Sequence, residues 1–266
     1  MYKTQTTQME NKIGIVCIHG AGLGSFIWDE LKPHLVHRVL VLDFPNRMNR
    51  GNITTAHLHL GDYASLLIKR IEKWNHRRFI IVAHSVGACV GMKVAQHFGS
   101  RVQGFVAISA TIPINGGSFV SCFSFPKNIL NGLLIRFMGT RPPNSLIVRR
   151  LCHGLSLEKT KKILSSYTAE SKALFLERTN AKIVNMPTLY IQTTRDKLFS
   201  KEFQEKMAKN MQAQDIVSMK TGHLPMLTMP QQLAEILNEF IERLPPPKMQ
   251  RSPNGRVAKN KKEVES

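Results

Sequence analysis

The chain has 266 residues, 42% of them hydrophobic and 21% charged, which suits one large domain with a sizeable core and excludes a disordered composition. Thirty-seven Lys and Arg against 18 Asp and Glu give a formal net charge of +19; no aromatic-interleaved basic stretch or zinc-type spacing accompanies it, so a nucleic-acid partner is not expected. Residues 1–12 are polar without an apolar core of signal-peptide length, and no run approaches a membrane span, so a soluble, cytoplasmic chain is expected.

Short branched-apolar runs alternate with helical periodicity along the chain. Residues 13–18 predict a first strand, which runs into His19-Gly20-Ala21-Gly22-Leu23-Gly24. A strand over 38–42, a helix over 58–74, a strand over 79–83, a helix over 87–98 and a strand over 102–109 follow. The alternation lapses over 113–185, where Gly116, Gly117, Pro126, Gly139, Pro142 and Pro143 interrupt helix-like pieces near 146–152 and 157–166. It resumes with strands over 187–193 and 215–219 and helices over 201–210 and 231–243. Such alternation predicts an α/β fold, a mostly parallel sheet flanked by helices. Residues 113–185 then form a helical cap inserted between core segments 1–112 and 186–244. Phe123, Phe125, Phe137 and Met138 are candidates for a pocket roof or for core. Residues 245–266, rich in Pro and Lys and poor in large apolar side chains, read as a basic, disordered tail. The cap is basic too, with only Glu158, Glu170 and Glu177 against eleven Lys and Arg.

The chemistry centres on Phe79-Ile80-Ile81-Val82-Ala83-His84-Ser85-Val86-Gly87, a branched apolar run that stops at a serine between small residues and enters a helix at once. A nucleophile elbow needs that order, because the strand must turn sharply to present one hydroxyl at the sheet edge. Ala83 stands where glycine is commoner. An acid and a histidine must follow in that order. Asp196 lies just past the strand over 187–193, and His223 is the only histidine after His153. Asp215 is the rival acid but starts a strand at the opposite edge. Ser85, Asp196 and His223 are therefore the candidate catalytic residues, with the Val86 and Ala21 amides as the oxyanion hole. In the glycine loop, Gly20, Gly22 and Gly24 do not match a dinucleotide fingerprint, although Asp43 mimics its ribose-binding acid. His19 is expected to brace that loop and His84 to shape the elbow's surroundings; His34, His37 and His76 read as surface or helix-end residues. The four cysteines are scattered and read as buried, reduced thiols. No metal site or cofactor is expected.

With these residues in place, the chain resembles α/β-hydrolase-fold serine hydrolases. Gly222-His223-Leu224-Pro225-Met226-Leu227, Tyr190-Ile191-Gln192-Thr193-Thr194-Arg195-Asp196, and His19-Gly20-Ala21 with Trp28 are similar to the plant methyl esterase and hydroxynitrile lyase group. Lyases of that group carry threonine after the loop histidine and lysine after the catalytic one. Gly20 and Leu224 stand at these positions, so the resemblance implies ester hydrolysis through an acyl-enzyme on Ser85. A second resemblance, to small bacterial carboxylesterases acting on carrier-bound acyl chains, implies an alternative: a thioesterase docking an acidic carrier protein on Arg149, Arg150, Lys159, Lys161 and Lys162. A third alternative is a ligand-binding protein that retains the three residues.

Overall fold

The computed structural model describes residues 13–45, 55–74, 76–114, 116–183 and 185–245; the expected tail, from 246 on, lies outside them. Six strands make one sheet: β1 (Gly14–Ile18), β2 (Val39–Leu42), β3 (Phe79–His84), β4 (Val102–Ile108), β5 (Thr188–Thr193) and β6 (Asp215–Met219). Their order is β2-β1-β3-β4-β5-β6, and every neighbouring pair is parallel. The main helices are α1 (Leu60–Trp74), α2 (Gly87–Phe98), α3 (Lys127–Met138), α4 (Leu157–Ser166), α5 (Lys201–Met211) and α6 (Pro230–Glu242).

Both faces of the sheet are covered, and the strand period of two divides the core between them. Val16, Ile18, Ile81 and Ala83 pack with buried residues of α1, α2 and α5. Ile15, Cys17, Ile80 and Val82 pack on the other face with Trp28, Ile163 of α4, and Leu233, Leu237 and Phe240 of α6. Because all strands run the same way, the loops leaving β1, β3, β5 and β6 emerge at one edge, where ligands of open α/β sheets bind. They carry residues 19–24, Ser85, Asp196 and His223.

Between β4 and β5, residues 113–187 carry α3, α4 and several short turns, including a π-helical turn at Ile147–Leu151. They rest on two of those edge loops. A Cβ on Gly22 would lie 2.1 Å from the Tyr167 ring, and one on Gly222 would lie 2.3 Å from the His153 carbonyl. Glycine is required at both places by close approach.

Two sequence expectations differ from the structure. Phe125, Phe137 and Met138 are neither pocket roof nor core; they are 78%, 82% and 75% exposed. His76, of the surface or helix-end reading, does follow the end of α1 but is buried, stacking on Trp74 at 4.6 Å in space left by Gly14. The helix α3 lies between Pro126 and Gly139, two residues that read as interruptions in the sequence but cap the helix at either end.

All four cysteines are buried and unpaired. Burial pushes the Cys89 and Cys152 thiols up to about 11 and those of Cys17 and Cys122 higher still. The thiolate is the reactive form, so at about pH 8 a disulfide reagent such as Ellman's should label no thiol of the native chain and all of them after denaturation. Rapid labelling of the native protein would contradict this burial.

Candidate active site

The turn from β3 into α2 is made by Ser85, whose φ of 55° lies in the left-handed region. That conformation costs a residue bearing a Cβ about 1–3 kcal/mol and persists only where its surroundings fix it. Three backbone hydrogen bonds do so: the Ser85 N–H donates to Ile108 O (3.1 Å), and Ser85 O accepts from Thr111 N–H (3.2 Å) and Ala88 N–H (3.2 Å). Two residues on, a Cβ at Gly87 would lie 2.4 Å from the His19 carbonyl. Ala83 takes the place of the commoner glycine because the helix opposite is trimmed instead: a Cβ on Gly91 would lie 3.3 Å from the Ala83 methyl.

Asp196 and His223 meet across the ends of β5 and β6. His223 Nδ1 lies 2.7 Å from Asp196 Oδ2, and neither side chain is exposed. The other carboxylate oxygen, Oδ1, accepts the Leu198 N–H (2.7 Å) and the Phe199 N–H (3.1 Å). Burial pushes the Asp196 carboxyl up, but His223 and these two amides outweigh it and hold the group below its usual value. An ionised Asp196 fixes the proton on Nδ1 and leaves Nε2 as the acceptor. Buried His223 Nε2 has no hydrogen-bond partner among the described residues.

His84 joins the histidine loop to the elbow. Its Nε2–H donates to the His223 carbonyl (3.0 Å), and the two rings meet edge-on at 4.7 Å. Burial and the neighbouring His223 hold His84 well below its usual pKa, so it is a neutral donor. On its far side the glycine loop closes in: a Cβ on Gly20 would lie 2.8 Å from Ser85 Cβ and 3.0 Å from His84 Nδ1. Buried His19 ties that loop down, donating from Nδ1 to Gly20 O (2.8 Å) and accepting the Phe44 N–H at Nε2 (3.1 Å). Asp43, the mimic of a ribose-binding acid, instead accepts the Ser25 N–H (2.6 Å) and Oγ–H (2.7 Å). Among the described residues no three His, Cys, Asp or Glu side chains cluster in a way that could hold a metal ion.

An elbow serine, an Asp–His pair and a glycine loop on one edge of a parallel sheet agree with the family whose sequence pattern the chain matches, described as "Alpha/beta hydrolase family", over residues 15–236. The chain belongs to that family. Within it, the hydrolase is similar to Methylesterase 9 of Arabidopsis thaliana, 24% identical over 254 residues that cover 86% of this chain and 98% of the relative. It is 25% identical over 248 residues to Salicylic acid-binding protein 2 of Nicotiana tabacum, covering 85% of this chain and 95% of that one. Among solved structures, an extracellular α/β-hydrolase from a Paenibacillus species matches with a TM-score of 0.75 at 21% identity, covering 85% of this chain and 98% of the other. Polyneuridine aldehyde esterase matches with a TM-score of 0.69 at 19% identity, covering 86% and 98%. At such identities the structural likeness is one of fold.

Several residues that position this hydrolase site have no sequence signature. Thr193 Oγ1 lies 3.1 Å from Asp196 Oδ2 and 2.6 Å from Ser109 Oγ, so a Ser109 proton given to Thr193 frees the threonine proton for Asp196. Fully buried Gln204 of α5 accepts the Thr193 N–H (2.9 Å) and donates to the Thr193 and Phe199 carbonyls (3.0 Å each), bracketing the Asp196 loop. Buried Glu170 accepts the Gly22 N–H (3.1 Å) and the Tyr63 hydroxyl (3.1 Å).

Gly87→Ala should leave a folded chain whose loop at His19 is displaced, with activity down by about 10²-fold, the scale for a misplacement near 1 Å. Unchanged turnover would show that the contact is not critical. Asp196 also links stability to pH. Its folded-state pKa is depressed, so the stability it contributes is present above the ordinary carboxylate range and is lost as pH falls through its lowered value. Asp196→Asn should therefore flatten the acid limb of a plot of Tm against pH, and an unaltered limb would contradict a carboxylate held ionised by His223 and the two amides.

Proposed function

We propose that the protein hydrolyses carboxylic esters of small molecules through an acyl-enzyme on Ser85. The observation that carries this reading is the buried 2.7 Å pair of Asp196 with His223 Nδ1, on the sheet edge where Ser85 sits at φ 55°. His223 Nε2, a buried acceptor without a partner, takes the Ser85 proton as Oγ attacks the acyl carbon. The imidazolium then protonates the departing alkoxide. Asp196 holds the ring and stabilises its charge, and water activated by the same Nε2 releases the acid.

The developing oxyanion is received by the Ala21 and Val86 amides. Their neighbours are already engaged: Gly22 N–H with Glu170 and Ser85 N–H with Ile108 O. Ala21 and Val86 N–H have no acceptor among the described residues. Such donors, fixed in advance, stabilise the tetrahedral intermediate by about 3–4 kcal/mol each.

The segment over residues 113–185 serves as the cap. Tyr167, Glu170 and His153 press it onto the loops of Gly22 and Gly222, so it both roofs the site and fixes the oxyanion loop. Phe123, Phe203 and Phe199 form an aromatic run from the cap to the His223 ring, with centroids 4.9, 4.6 and 5.1 Å apart in turn. This apolar wall suits the acyl side of an ester.

Of the cations considered for an acidic carrier, Lys159 is held by Glu30 and by the Leu227 carbonyl (2.7 Å each), and Lys162 sits over the Phe26 ring at 5.1 Å. They fasten the cap to the body, which favours the ester over the carrier-bound thioester. The names of the relatives, methylesterases and esterases, support the same choice.

Ser85→Ala should lower kcat/KM on methyl and p-nitrophenyl esters by at least about 10³-fold with the circular-dichroism spectrum unchanged. Turnover retained in that variant would overturn the assignment. Thioester turnover that exceeds ester turnover and falls steeply with salt would replace it with the carrier reading.

A further inference from the structure

The helix α3 (Lys127–Met138) is inside out. Asn128, Asn131, Gly132 and Ile135 are its half-buried residues, whereas Ile129, Leu130, Leu133, Leu134 and Phe137 face outward. At 3.6 residues per turn these five span an arc of about 140°. Of the thirteen exposed large hydrophobic side chains among the described residues, seven lie between 125 and 138. A contiguous apolar face of that kind marks an interaction site. The helix is also anchored: Lys172 Nζ donates to the Arg136 carbonyl (2.5 Å), and Ile135 packs on the core.

Charge identifies what covers it. Lys127 and Arg136 border the two edges of the apolar arc, and both are exposed. From residue 113 to 157 the chain contains Lys127, Arg136, Arg141, Arg149 and Arg150 but no Asp or Glu. Cations flanking an apolar arc on a short surface helix are the pattern of a segment lying in a lipid interface, where long basic side chains reach the headgroups. A second copy docked face to face would bring these like charges together in its own interface, and an acidic bilayer would neutralise them. A convex ridge of aliphatic side chains also needs no matching groove when it enters fluid acyl chains.

We propose that α3, with Phe125 at its start and Met138 at its end, docks the protein peripherally on an anionic lipid surface. No helix among the described residues is long and apolar enough to cross a membrane, so the association is with one leaflet. This proposal stands apart from the ester chemistry and is tested without it.

The full chain should float with phosphatidylcholine vesicles that contain phosphatidylserine and remain behind with phosphatidylcholine alone. The exposed pair Leu133→Asp with Phe137→Asp should reduce the bound fraction at least tenfold, roughly the share of one buried large apolar side chain. Lys127→Glu with Arg136→Glu should also weaken binding, and every variant should keep the wild-type circular-dichroism spectrum. Flotation unchanged by the Asp pair would overturn the proposal, because charge elsewhere would then suffice. So would absence of flotation, including the case in which the wild type is a dimer in size-exclusion chromatography that the Asp pair splits; the face would then belong to a second copy.

Discussion

The carbonyl oxygen of His19 lies where a Cβ of residue 87 would be, at 2.4 Å. This approach of the loop after β1 to the start of α2 fixes the elbow and the glycine loop against each other. The rest of the site is built outward from it. His19 could not hold Gly20 and Phe44 together if its carbonyl were pushed away, and Gly20 in turn closes over Ser85 and His84. From His84 the restraint passes to the His223 carbonyl, and from His223 to Asp196. A chain of neutral hydrogen bonds and steric stops thus holds the Asp196–His223 hydrogen bond in place.

Preorganisation of this kind is costly in local conformation and needs support elsewhere. Ser85 and Ser109, at the ends of the adjacent strands β3 and β4, both have positive φ, at 55° and 42°. The sheet beneath supplies the rigidity, with β1, β3 and β5 buried throughout. Above it, Glu170 and Tyr167 add a clamp on Gly22 from the segment between β4 and β5. Packing of that segment therefore fixes the position of the loop that carries Gly20 and Gly22.

Much of this arrangement was legible in the sequence, because the signals were local. Strand periodicity ending in Ala83-His84-Ser85-Val86-Gly87 could be read without knowing any partner, and the parallel sheet then put Asp196 and His223 on the same edge. Every observed strand lies within one residue of the expected bounds, with β3 extended to His84 and Ser109 lost from β4. What stayed hidden depends on contacts between distant segments. Gly91 compensates for Ala83 across a strand and a helix, and Gln204 reaches back eleven residues to Thr193. Nothing in the spacing of Glu170 and Gly22, 148 residues apart, announces their bond. The outward turn of the apolar face of α3 was hidden for another reason. Its apolar residues have helical spacing, but a sequence pattern does not tell an inward stripe from an outward one, so Phe125, Phe137 and Met138 read as pocket roof or core although they are exposed.

The assignment of Ser85 as the group that forms the covalent intermediate is tested most directly by labelling. Treatment of the native chain with a fluorophosphonate, followed by peptide mass spectrometry, should give one adduct on Ser85, and His223→Ala should suppress it. An adduct on another residue, or equal labelling of Ser85 in the His223→Ala variant, would contradict the assignment.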